Sequence, residues 1–98
     1  MDDQRDDVRS LLAPVLQWLS EGGDAWEMDI SYWRTAWALR ARGDALRGEV
    51  ASIFGDIDAS LHRFEPNPDR TRDQIDEKTL RTELTASIER LRILGALE

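Results

Sequence analysis

The sequence predicts an all-α fold, a small antiparallel four-helix bundle built as a single domain over residues 1–98. Three observations predict it. Apolar side chains recur at steps of three and four in four separate stretches, which is the period of one buried helix face. No stretch alternates apolar and polar residues as a half-buried strand does. The stretches are separated by polar segments carrying Gly or Pro, which punctuate helices.

In the first stretch Val8, Leu11, Leu12, Val15, Leu16 and Leu19 keep helical spacing, and Asp2, Asp3, Asp6 and Asp7 lie near the positive end of the helix dipole. Pro14 falls inside this stripe. A proline there removes one backbone hydrogen bond and crowds the preceding turn, so a kinked helix or two short ones are expected. Ser20, Gly22 and Gly23 close the element.

The second helix carries Trp26, Met28, Ile30, Trp33, Trp37 and Leu39, and ends at Arg40, Arg42 and Gly43, where cations suit the negative terminus and glycine a left-handed cap. Trp18, Trp33 and Trp37 fall on or beside the apolar stripes and are read as core or partner-facing bulk, core first, in preference to a ligand cage. Asp44 is the expected N-cap of the third helix, whose stripe is Leu46, Val50, Ile53, Phe54, Ile57, Leu61 and Phe64. The following segment, Glu65 to Gln74, holds Pro66 and Pro68 and almost no apolar side chain, so it is a solvated connection. The last helix starts behind Asp76 as N-cap, with Ile75 and Leu80 placed as a hydrophobic staple, and its stripe is Leu80, Leu84, Ile88 and Leu91.

Composition excludes several classes of function. With 20 acidic against 13 basic side chains the net charge is −7, which repels nucleic-acid phosphate and anionic membrane surfaces. Cysteine is absent and His62 is the single histidine, so thiol chemistry is excluded and neither a metal nor another cofactor is expected. An acidic amino terminus and the lack of a long apolar run point to a soluble, cytoplasmic protein.

No catalytic residue is assigned. His62 is the only candidate general base of the usual kind, and it is expected on a helix face turned away from Phe54 and Ile57, exposed to water. Asp56 and Asp58 could be imagined as an acid and base pair. At i and i+2 on a helix they point roughly 200° apart and cannot share a substrate atom.

The acidic residues are distributed unevenly. Between Asp44 and Glu77 there are nine acids and four arginines, a balance of −5 in 34 residues. Such a patch suits either solvation or the steering of a basic partner by long-range attraction.

The stretch from Ile53 to Leu91 resembles the colicin D-type immunity proteins. The match is carried by Arg63-Phe64-Glu65-Pro66, then Pro68-Asp69-Arg70, then Ile75-Asp76, and then a helix with Leu80, Glu83 and Ile88-Glu89-Arg90-Leu91. It extends over roughly 40 residues and includes the irregular loop as well as helical spacing. The amino-terminal half matches in helical layout alone, and the Trp-rich second helix is not accounted for.

The resemblance implies an inhibitor that binds the nuclease domain of a cognate bacterial toxin, a basic, tRNA-cleaving domain, as a 1:1 heterodimer. Carboxylates would stand where substrate phosphates lie. By position in the motif, Glu65 and Asp69 are the first candidates for contact with basic catalytic side chains. Asp56, Asp58, Asp73 and Asp76 follow as steering or rim charges. Asp76 is also an N-cap, and Arg63 or Arg70 is expected to pair with Glu65 or Asp69. The competing expectation is an acidic adaptor that binds another protein through a face containing Trp33 and Trp37.

Overall fold

A computed structural model describes residues 4–43 and 46–97 and contains four helices: α1 (Gln4–Glu21), α2 (Ala25–Ala41), α3 (Gly48–Arg63) and α4 (Glu77–Ile93). Among the described residues there is no strand, only an isolated bridge between Phe64 and Ile75. The bundle is elongated, 46 × 28 × 25 Å. It is built as two hairpins: α1 packs on α2, α3 packs on α4, and α1 meets α4 across the middle, while α2 and α3 stand further apart.

Each helix buries the stripe its spacing defines. Val8, Leu11, Leu12, Val15 and Trp18 of α1 meet Val50, Ile53, Phe54, Ile57 and Leu61 of α3 and Leu80, Leu84, Ile88 and Leu91 of α4 in one core, completed by Met28, Tyr32 and Leu39 of α2. Trp18 is fully enclosed: its Nε1 donates to the Gly23 carbonyl at 3.2 Å, and the Arg81 guanidinium lies 4.1 Å from the ring centroid. That placement satisfies the indole N–H and adds a cation–π contact to the apolar burial.

Of the two courses expected for the first stretch, α1 takes the continuous one, a single helix with Pro14 inside it, while the start of the third helix needs correction. The missing backbone bond at Pro14 is outweighed by burial of Leu11, Leu12, Val15 and Trp18 on both sides of it, since each such side chain contributes roughly 1.5–3 kcal/mol. The third helix starts later than its stripe suggests. Its N-cap is Arg47, with no side-chain cap bond, and Leu46 packs on the core from outside the helix. The expected cap, Asp44, lies outside the described residues.

The other ends follow local chemistry. Asp24 caps α2 by accepting from the Trp26 N–H at 2.9 Å, and Gly43 takes φ 83° just beyond the helix, a backbone angle that side chains with a Cβ disfavour. Asp76 caps α4 by accepting from the Thr79 N–H at 2.8 Å. Ile75 packs against the core just before it, and Leu80 is fully buried four positions on, so both members of the staple are in place.

The tryptophans divide. Trp18 is core as expected and Trp33 packs on its edge, but Trp37 is 66% exposed and Trp26 57% exposed. The core reading of Trp37 is therefore corrected. α2 has two apolar stripes: Ala25, Met28, Tyr32 and Leu39 turn inward, while Trp26, Ile30, Trp33 and Trp37 lie roughly 140° around the helix.

Candidate functional site: an ordered acidic loop and the outer face of α2

The connection from Phe64 to Asp76 is folded on itself by its own polar groups. Its neck is closed where the Ile75 N–H donates to the Arg63 carbonyl at 2.8 Å and the Glu65 N–H to the Ile75 carbonyl at 3.0 Å. Within it, the Asp69 N–H donates to Asn67 Oδ1 at 2.9 Å, the Thr71 N–H to Gln74 Oε1 at 2.7 Å, and Arg70 Nε to the Glu65 carbonyl at 3.1 Å. Asn and Gln side chains here satisfy backbone donors that a loop otherwise leaves to water. Pro66 and Pro68 restrict φ at two further positions.

This frame decides what each acid of the loop can offer. Asp69 and Asp73 are exposed, and among the described residues their carboxylates take part in no ion pair or hydrogen bond. Glu65 is half-buried, and its carboxylate accepts the Asn67 N–H at 3.2 Å. Asp76 is committed to its cap, and the Thr79 N–H and hydroxyl hold its carboxyl below the usual carboxylate range. The expected pairing of Arg63 or Arg70 with Glu65 or Asp69 takes another form. Arg63 pairs with Glu83 at 2.6 Å, and Arg70 reaches the backbone of Glu65, not its carboxylate.

Two of the three acids of α3 are engaged by neighbouring helices, Asp56 at the surface and Asp58 half-buried. Asp56 pairs with Arg90 of α4 at 2.7 Å, and Asp58 accepts from the Tyr32 hydroxyl of α2 at 2.6 Å. They point to opposite neighbours, as their i, i+2 spacing requires. Burial and, after it, Asp58 push the Tyr32 hydroxyl far above the usual phenol range, so it stays a donor at every ordinary pH. Glu83, a residue of the motif, joins α3 to α4: it accepts from Ser60 Oγ and from Arg63, both at 2.6 Å.

Beside α3, the outer stripe of α2 lines a groove of about 860 Å³ whose walls include Asp29, Trp33, Trp37, Arg40, Asp58 and His62. Trp33 anchors it. Its Nε1 donates to Asp29 at 2.9 Å, its ring meets Tyr32 edge-on at 5.3 Å, and His62 lies against it at 5.3 Å and 35°. His62 is exposed, as expected, yet it is also an aromatic neighbour that the helix-face argument missed. Burial raises the Asp29 carboxyl above its ordinary range, opposed by the Trp33 N–H and by His62. The signal that could have located this surface is the four, three, four spacing of Trp26, Ile30, Trp33 and Trp37 beside a second stripe already sufficient for the core.

Among the described residues no group of three or more His, Cys, Asp or Glu side chains is arranged to hold a metal ion, and no helix is long and apolar enough to cross a membrane. Comparison with known protein families, with curated proteins and with solved structures found no match to the chain. The all-α bundle therefore rests on its own geometry, and the function on the surfaces just described.

Proposed function

We propose that this chain is a protein-binding inhibitor of the immunity type, which covers the basic active-site cleft of a tRNA-cleaving toxin domain with the acidic loop between α3 and α4. One observation carries the reading: the carboxylates of Asp69 and Asp73 have no partner among the described residues and stand on a loop already ordered by its own hydrogen bonds. A loop ordered in advance loses little conformational entropy on binding, and carboxylates without an internal cation are free to meet an external one. Glu65 contributes at the neck of the loop. The engagement of Asp56 with Arg90 and of Asp58 with Tyr32 reduces both to rim or structural roles.

The mechanism is occlusion without chemistry. Carboxylates at the spacing of a polyanion occupy basic side chains that would otherwise hold RNA phosphate. Attraction at long range speeds encounter, and pairing in the desolvated centre slows release.

The test is RNA cleavage by the nuclease domain of a candidate cognate toxin, sought in the neighbouring gene and measured with and without the purified protein. Cleavage stops at one equivalent if the reading is right. Cleavage at an unchanged rate in the presence of excess protein overturns it. Glu65→Lys or Asp69→Lys weakens binding more than about tenfold while the helical circular dichroism and melting temperature hold. Reversal of Asp6, far along the chain on α1, changes binding far less.

A further inference from the structure

We infer that the outer face of α2 is a self-association surface, on which a second copy of this chain docks antiparallel about a two-fold axis. A surface helix of a small bundle needs one apolar stripe, and α2 has two. The inner stripe is spent on the core, while Trp26, Ile30 and Trp37 of the outer one are 57%, 42% and 66% exposed. Their spacing of four, three and four with Trp33 is that of a two-helix seam, in which each apolar residue meets the facing helix.

Two features select a second copy as the occupant. The first is that the stripe matches itself when reversed. An antiparallel pairing centred between Ser31 and Tyr32 sets Trp26 against Trp37 of the second copy and Ile30 against Trp33, and the two-fold repeats both contacts. The second is charge. Glu27 and Arg34 flank the same side of the seam, both exposed, and among the described residues neither side chain has an ion pair or hydrogen bond. Seven residues apart, about 10.5 Å along the axis, they cannot reach one another. In the antiparallel arrangement each comes beside the other's counterpart on the facing helix, so two unused charges of opposite sign are paired twice. The face as a whole balances Glu27 and Asp29 against Arg34 and Arg40, so it is neutral in a chain of net charge −7. A like-charged copy can approach there and nowhere along the acidic loop.

Ser31 and Thr35 do not obstruct the seam: the Thr35 hydroxyl donates back to the Ser31 carbonyl at 3.2 Å and asks nothing of the facing helix. Trp33 enters preformed, held by Asp29 and His62, so little side-chain freedom is lost on docking. The inference does not depend on the inhibitor reading, and the one-to-one stoichiometry expected with a toxin domain is kept in a two-to-two assembly.

The experiment is sedimentation velocity on the purified full chain from about 1 to about 200 μM, with three variants. The unmodified chain shifts from monomer to dimer across this range, and the shift survives added salt. Trp37→Glu weakens the dimer at least tenfold with unchanged helical content. Glu27→Arg and Arg34→Glu each weaken it, and the double variant regains most of what either lost, because the facing pair is restored with its signs exchanged. A chain that stays monomeric at every concentration overturns the inference. So does a dimer indifferent to Trp37→Glu, and a double variant no better than the single ones overturns the antiparallel register.

Discussion

The Glu65–Gln74 loop and the outer face of α2 are both surfaces that the fold leaves unspent, and they differ in every physical respect. The loop is polar, carries its acids on hydrogen-bonded turns, and has Asp69 and Asp73 without cations. The α2 face is apolar, electrically balanced and set on a regular helix around Trp33. A partner of the first must be basic and its binding must fall with salt; a partner of the second must be apolar and is barely screened. In a chain this small, separating the two kinds of surface lets each act without disturbing the core, because neither is built from the side chains that hold α1, α3 and α4 together.

The largest effect that can break this separation is on stability. Trp18→Ala should cost about 3–5 kcal/mol, since it empties a buried site in the core and removes the ring beneath Arg81. Trp37→Ala, measured in dilute protein, should stay within about 0.5 kcal/mol. Urea unfolding of the two variants checks both. A large loss from Trp37→Ala would mean that the outer stripe belongs to the fold after all, and the contrast between surfaces would collapse.

A smaller effect lies at the junction of α3 and α4. Glu83→Ala leaves the buried Ser60 hydroxyl without its acceptor and Arg63 without its carboxylate, a loss of about 1–3 kcal/mol in urea unfolding. It should also loosen the loop, because Arg63 lends its carbonyl to the neck at Ile75. The α2 face lies outside this connection. Self-association of the variant should therefore match that of the unmodified chain, while affinity for a basic partner falls.

The features that could be read from the sequence are those that depend on near neighbours. Asp76 three residues before Thr79, Gly43 after the last turn of α2, and the unbroken stripe of α3 each announce themselves within a few positions, and each is found in place. What could not be read depends on distant pairs. Nothing local says that Asp58 faces Tyr32, 26 residues away, or that Asp56 faces Arg90, 34 residues away, and those partners decide which acids remain available. Helical spacing also cannot choose between two apolar stripes on one helix. It places Trp33 and Trp37 on a common side correctly but is silent on whether that side faces in or out. Pro14 leaves two courses open for the related reason that backbone cost is local while the burial that outweighs it is not.

The smallest predicted effects are opposite in sign and compare the two surfaces through one carboxylate each. Asp76, at the end of the loop, has its pKa lowered by the Thr79 donors, so its contribution is present above the unfolded value of about 3.9 and is lost as pH falls through the folded value. Asp29, on the α2 face, has its pKa raised by burial. Its neutral form is the one the fold prefers, so stability declines as pH rises from about 3.9 through the raised value. Asp76→Asn and Asp29→Asn both keep a side-chain oxygen able to accept the existing hydrogen bond, from Thr79 or from Trp33, while removing the titration. Relative to the unmodified chain, Asp76→Asn should therefore lose stability as pH rises toward 3.9 and Asp29→Asn should gain it as pH rises beyond. Urea unfolding across the acid range reads both curves. If Asp29→Asn departs in the same direction as Asp76→Asn, then Trp33 and His62 hold Asp29 as a charged group, and the groove beside α2 is an ionic site instead of an apolar one.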